Sequence, residues 1–287
     1  MKIIELYKSK RPVLSLEIFP PKNNFPLESI FTTLDKLIEL KPEYISVTYG
    51  AAGSTRERTV EIAARIKKEY GIEPQAHLTC VNHNRGEIQG ILAELKREGI
   101  QNIMALRGDI PDQAVDFDFS TQDYQYAYQL IQQIRQSDDF GIAAAAHPEG
   151  HPDCRRLSED ITYLKQKVDA GVDFLITQLF FDNRIFYDFC EKAEKSGIKC
   201  PVIPGIMPIL NANQIKHIIS MCGASIPAKL LNIVNKYEKN QADMEKAGIE
   251  YASQQIEDLR DSKVVGIHLY TMNKAEQITQ IVKNCNL

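Results

Sequence analysis

Short apolar runs recur along the chain, and each is followed by a longer segment with helical spacing. In 13–19 the alternation places Leu14, Leu16 and Ile18 on one face and Ser15 and Glu17 on the other. The branched face is expected to meet surrounding helices, and the second face to line an interior. The same reasoning predicts strands at 44–50, 75–79, 101–107, 141–146, 173–179, 201–206 and 264–270. Helices are predicted at 27–40, 55–70, 85–98, 121–137, 157–170, 184–196 and 274–284. Three more helical segments (211–221, 227–236 and 241–260) fall between the last two strands. Strand–helix alternation of this kind predicts an α/β chain, a (β/α)8 TIM barrel with extra helices between strands seven and eight. Residues 1–287 read as one catalytic domain, because the last strand is needed to close the cylinder.

Such a barrel builds its site from the C-terminal ends of its strands. Those ends carry Glu17, Thr48, His77, Arg107 with Asp109, His147 and Gln178. The strand at 141–146 is nearly all alanine, so a bulky group can approach it closely. The connection from Asp109 to Ser120 is long and acidic, a length often tied to function in a compact domain.

Composition narrows the classes. A hydrophobic fraction of 44% supports a core of this size, and 25% charged residues match an ordinary soluble protein. The net charge of −4 argues against nucleic acid or an anionic membrane as partner. No apolar run approaches the roughly 18 residues of a membrane span, and the segment Met1–Arg11 lacks the apolar centre of a signal peptide. Six scattered cysteines without a C-x-x-C pair read as reduced thiols, so a cytoplasmic location is expected.

Glu17 is the sharpest single residue. A carboxyl with Leu16, Ile18 and Phe19 as chain neighbours is costly to ionise on an interior strand, which suits a general acid; the alternative is a salt bridge in the barrel mouth, with Arg107 as partner. Arg107-Gly108-Asp109 offers a fixed cation, a glycine permitting close approach of a flat ring or pyrophosphate, and a carboxylate. Its alternative is a structural ion pair. His147-Pro-Glu-Gly-His151 resembles metal-ligand spacing, but the prolines disfavour a shared helical face, which favours a cofactor loop over a metal. Asp160 and Lys167 fall two turns apart on one helix face, which by itself reads as a solvated surface pair. Dinucleotide G-x-G-x-x-G, Walker and G-x-S-x-G motifs are absent from the sequence.

Nine ordered motifs carry a resemblance: Leu16-Glu-Ile-Phe-Pro-Pro21, Ser46-Val-Thr-Tyr-Gly-Ala51, His77-Leu-Thr-Cys80, Ala105-Leu-Arg-Gly-Asp109, His147-Pro-Glu-Gly-His-Pro152, Lys167-Val-Asp-Ala-Gly171, Ile176-Thr-Gln-Leu-Phe-Phe-Asp182, Ile203-Pro-Gly-Ile206 and His268-Leu-Tyr-Thr-Met-Asn273. Across nearly the whole chain they resemble methylenetetrahydrofolate reductase, in its bacterial form of a catalytic barrel without the regulatory domain. The resemblance implies an oxidoreductase and flavoprotein that reduces 5,10-methylenetetrahydrofolate to 5-methyltetrahydrofolate, in one-carbon metabolism and methionine supply. It implies FAD, with FMN as the alternative, and NADH or NADPH as electron donor in ping-pong turnover. Glu17 falls on the family's general acid and Asp109 on the carboxylate that steadies the cationic folate intermediate. Thr48, Tyr49, Ala51, His77, Arg107, Gly108, Asp109, Ala127, His147, His151, Asp160 and Lys167 fall on cofactor-binding positions. Asp109, Gln178, Gln214 and Lys274 fall on substrate-binding ones, and no metal is implied.

Three positions depart from the family pattern. His147 stands where bacterial relatives often have tyrosine, Lys274 where an arginine commonly grips the folate tail, and Ile218 where some relatives place phenylalanine. The expected assembly is a homo-oligomer. Two other readings remain: a flavin subunit drawing electrons through a partner protein, and a flavin- or folate-binding barrel without turnover.

Overall fold

The computed structural model describes residues 1–9, 11–22, 24–49, 56–109 and 118–287. The strands are β1 (Val13–Ile18), β2 (Tyr44–Val47), β3 (Glu73–Thr79), β4 (Asn102–Leu106), β5 (Gly141–Ala146), β6 (Phe174–Thr177), β7 (Val202–Ile203), β8 (Gly205–Ile206) and β9 (Gly266–Tyr270). All neighbouring pairs are parallel, in the order β7-β6-β5-β4-β3-β2-β1-β9-β8. Helices α1 (Glu28–Leu37), α2 (Arg56–Tyr70), α3 (Arg85–Arg97), α4 (Ala127–Ser137), α5 (Leu157–Asp169) and α6 (Asn183–Lys195) alternate with the first six strands. Helices α7 (Ala212–Cys222), α8 (Ala228–Tyr237) and α9 (Gln241–Asp261) precede β9, and α10 (Ala275–Cys285) follows it. This is the expected barrel with its elaborated last crossover.

The strand predicted over 201–206 is divided. Pro204 has no N–H to contribute to a ladder, and the short segments on either side of it choose different neighbours. Val202–Ile203 pairs with β6 and Gly205–Ile206 with β9, so this one stretch of chain joins both ends of the sheet. The Pro204 carbonyl still accepts from the His268 N–H at 3.0 Å.

The alternation read in the first strand is present: Leu14, Leu16 and Ile18 are buried among the helices, in the same cluster as Leu34, Ile45, Leu78 and Ile103. Inside the cylinder, Val13, Tyr44, Met104, Phe174, Ile176 and Ile203 form an apolar lower layer. A 3₁₀ turn over Ile3–Lys8 closes that end, with Ile3 and Tyr7 in the same cluster. Asn102 fastens the turn, accepting from the Ile3 N–H at 2.8 Å and donating to the Met1 carbonyl at 2.9 Å. Nothing in the periodicity of the strands announces this plug.

Helix α4 begins at Ala127, later than the predicted 121. The Gln129 side chain accepts from the N–H groups of Gln125 (2.7 Å) and Tyr126 (3.0 Å), which fixes the helix start there. The turn expected at 50–55 and most of the acidic connection, 110–117, lie outside the described residues.

Helix α9 packs across the loops that leave β6 and β8. Tyr251 Oη donates to the Phe181 carbonyl at 2.6 Å and Gln255 Nε2 to the Phe180 carbonyl at 2.9 Å. At the crossing, a Cβ on Gly248 would lie 1.8 Å from the Ile209 carbonyl oxygen, a backbone atom that cannot yield. Gly248→Ala therefore separates α9 from the β8 loop. We expect a loss of about 2–3 kcal/mol in unfolding stability, read as a lowered urea midpoint.

Candidate active site

The C-terminal ends of β3 to β6 open onto two adjoining clefts. The inner cleft, about 310 Å³, is lined by residues that include Tyr49, Thr79, Gly108, Asp109, Ala145, His147 and Gln178. The outer cleft, about 590 Å³, includes Tyr126, Tyr128, Asp153, Asp160 and Tyr163. Arg107, Ala127, His151 and Lys167 line both, so the two spaces are continuous. Their volumes fall in the range of small-molecule sites.

Local structure explains several of these positions. Gly108 has φ of +89°, and a Cβ there would lie 2.7 Å from Val81 Cγ1 and 2.8 Å from Thr79 Cβ. Its lack of a side chain lets the β4 end turn tightly against the β3 end; the close approach is to protein rather than only to a ligand. Arg107 is ion-paired with Asp153 at 3.1 Å, not with Glu17. Asp109 is exposed at the rim. Ala145, from the alanine-rich strand, leaves floor space in the inner cleft. Thr79 Oγ1 is buried in the cleft wall with no hydrogen-bond partner among the described residues.

The helix pair read as a surface feature is half-buried instead. Lys167 Nζ donates to the Ala145 carbonyl at 2.6 Å, beneath the junction of the clefts. Burial lowers its pKa to about 8, against the opposing pull of Asp160. Burial likewise raises the pKa of Asp160, offset by Lys167 and by the His151 N–H at 3.3 Å. His147 and His151 stack edge-to-face with centroids 4.8 Å apart. Burial, with Lys167, His151 and Arg107 nearby, drives the His147 pKa to about 3, so this ring is neutral. The region presents a cation, a carboxyl, a neutral imidazole and exposed tyrosine rings along one trough.

Glu17 lies inside the cylinder, 6% exposed, and is not among the residues lining either cleft. Its apolar chain neighbours point away from it. The carboxyl instead meets His77 and His268, whose Nε2 atoms each lie 3.4 Å from Oε2. His77 Nε2 is also 2.8 Å from Ser46 Oγ, and His268 Nδ1 is 2.9 Å from Ser15 Oγ. Burial lowers the His77 pKa, which keeps that ring uncharged. A polar layer thus separates the apolar plug from the mouth.

Other expected positions are elsewhere. Thr48 is half-buried just past β2, its N–H on the Ile18 carbonyl at 3.1 Å. Gln214 accepts from the Leu210 and Asn211 N–H groups (2.7 and 3.0 Å) and so caps α7. Lys274 is exposed in the turn before α10. Ile218, on α7, is buried in one cluster with Leu179, Phe181, Met207 and Ile215. Ala51 lies outside the described residues. His268, Ser15, Tyr126 and Tyr163 were not foreseen as site residues. For His268 the signal was available, since alternation puts it on the face of β9 shared with Tyr270.

Among the described residues, no helix is long and apolar enough to cross a membrane. The family model for methylenetetrahydrofolate reductase matches residues 2–286. A 5,10-methylenetetrahydrofolate reductase of Escherichia coli (strain K12) is 35% identical over 263 residues, 92% of this chain and 87% of the relative. A probable methylenetetrahydrofolate reductase (NADH) of Oryza sativa subsp. japonica is 36% identical over 297 residues, covering 100% of this chain. The chain spans about half the length of that plant relative, 50%. A solved structure of an uncharacterized protein from Clostridium thermocellum, which binds two copies of 5-methyl-5,6,7,8-tetrahydrofolic acid, superposes with a TM-score of 0.66. At 13% identity, over 100% of this chain and 98% of that one, the likeness is one of fold.

Proposed function

Because this chain belongs to the methylenetetrahydrofolate reductase family, we propose that its barrel mouth binds a flavin and reduces 5,10-methylenetetrahydrofolate to 5-methyltetrahydrofolate with NADH. The observation that carries this reading is the continuous pair of clefts joined at Arg107, Ala127, His151 and Lys167. A long trough with a half-buried cation at its middle suits an extended anionic cofactor, and the larger outer space favours FAD over FMN. The alanine floor suits a flat ring. The Thr79 hydroxyl, unpartnered among the described residues, is a donor in want of an acceptor at that wall.

A flavin bound there supplies the hydride chemistry. The chain's own residues do the rest. Lys167 and Arg107 meet anionic groups. Neutral His147 packs without adding charge. Glu17 donates a proton, directly or through water, to the folate nitrogen released when the imidazolidine ring opens. Asp109 at the rim steadies the iminium cation formed on the folate. Gln178 faces folate or nicotinamide, with Thr48 at the neighbouring strand end.

The test is direct. The purified chain should be yellow, release FAD, bleach with NADH under anaerobic conditions and recover colour with methylenetetrahydrofolate. A colourless chain that neither flavin reconstitutes overturns the reading. Folate reduction by chemically reduced protein, without bleaching by NADH or NADPH, would instead move the electron source to a partner. Asp109→Asn should slow the folate half-reaction on the order of 10²-fold in stopped-flow traces; an unchanged rate would confine Asp109 to a structural role.

A further inference from the structure

We propose that His268 is a positioning residue for Glu17. Together with His77 it aims two ring N–H groups at Oε2, so that the acidic proton is held on Oε1. This rests on the reading of Glu17 as proton donor and adds to it which oxygen gives the proton and what holds it there.

The hydrogen positions follow from the partners. Ser46 Oγ donates to Gln75 Oε1 at 3.1 Å, which turns its lone pairs toward His77 Nε2 at 2.8 Å. The Nε2 atom of His77 therefore carries the hydrogen, shared between Ser46 and Glu17 Oε2 at 3.4 Å. On the other side, Ser15 Oγ is 2.9 Å from His268 Nδ1 and 3.3 Å from the Ile267 carbonyl. Donation to the nearer nitrogen leaves the His268 hydrogen on Nε2, facing the same carboxyl oxygen. A carboxyl oxygen that receives two N–H groups is the carbonyl oxygen of the acid, since a hydroxyl oxygen is the weaker acceptor.

His268 is fully buried, and its ring stacks on Tyr44 and packs edge-on against Tyr270. It cannot swing away to leave the carboxyl free. The titratable groups facing Glu17 are His77 from β3, His268 and Tyr270 from β9, and Tyr44 from β2. Burial pushes both tyrosines up, so neither phenol changes charge over an ordinary assay range.

The experiment compares His268→Leu, which removes the donor, with His268→Gln, whose amide N–H reaches a similar point. Ser15→Ala serves as a milder variant that frees Nδ1. Stopped-flow traces would separate reduction by NADH from oxidation by folate. We expect His268→Leu to slow the folate half-reaction about 10²-fold, with a shifted acid limb in its pH profile, while NADH reduction changes less than about twofold. His268→Gln should recover most of the rate. The flavin-free proteins give a second readout by infrared spectroscopy: the Glu17 carboxyl band, identified by its loss in Glu17→Gln, should move in His268→Leu and return in His268→Gln.

Equal slowing in both His268 variants without a pH shift, or an unmoved Glu17 band, overturns the assignment. Should His268→Leu fail to fold, the band and folate rate in Ser15→Ala decide it, with a shifted band and about tenfold slowing expected. If the unaltered chain does not reduce folate, the functional reading fails; the infrared band still judges the His268 contact.

Discussion

Glu17→Gln is expected to slow folate reduction by about 10³-fold, while flavin affinity and reduction by NADH stay close to those of the unaltered protein. The substitution keeps the side-chain shape, and its amide oxygen can still accept from His77 and His268, 3.4 Å from the present Oε2. Neither cleft is lined by Glu17, so the cofactor trough loses no contact. What disappears is the transferable proton. Anaerobic stopped-flow measurement of the two half-reactions separates these effects. Equal slowing of both would assign Glu17 to the architecture of the mouth, and an unchanged folate step would remove it from the chemistry.

The environment of Glu17 shows where reading along a chain succeeds and where it stops. Alternation in β1 put Ser15 and Glu17 on the inward face, and that depends only on strand geometry. The partners of the carboxyl depend on closure of the cylinder. His268 is 251 residues away in the chain and reaches Glu17 only because β1 and β9 pair in a fixed register, Ser15 opposite His268. Leu16 and Ile18, adjacent in sequence, face the helices, so the apolar pocket they suggested is a polar layer instead. The same limit hid the division at Pro204, whose short flanking strands are defined by which neighbour each one finds. The plug of Ile3 and Tyr7 was also hidden, because a single 3₁₀ turn has no periodicity to read.

The clefts were more legible. Arg107, Gly108, Asp109, His147 and Gln178 sit at or just past strand ends, where a barrel gathers its polar groups, and all line the inner cleft. Helical spacing says that Asp160 and Lys167 share a face but not what covers it, and only the family resemblance gives them a cofactor role. Burial turns an ordinary surface pair into a cation with a depressed pKa beneath a trough. Gln214 marks the converse: its family position suggests a ligand contact, yet its side-chain oxygen is already engaged by two backbone N–H groups of the α7 cap.

Lys167→Met should weaken flavin binding about 10- to 100-fold at pH 7, the scale of one charge-assisted hydrogen bond to an anionic group. The pH dependence makes the prediction specific. With a pKa of about 8 in the folded chain, Lys167 is mostly charged at pH 7 and loses its proton as pH rises past 8. Flavin affinity of the unaltered protein should therefore fall above about pH 8, and Lys167→Met should lack that bend. Stability of the flavin-free chain carries the opposite sign. Below pH 8 the folded and unfolded chains both hold the proton, and the penalty for burying the cation is present in full. Between about 8 and the ordinary lysine value of 10.5 the unfolded chain binds more protons, so stability rises with pH across that window. Lys167→Met removes the rise. Urea unfolding of the flavin-free proteins at pH 7 and pH 10, beside flavin titrations at the same two values, checks both signs. Parallel pH responses in the two proteins would remove Lys167 from the cofactor site and return it to the surface role its helix spacing first suggested.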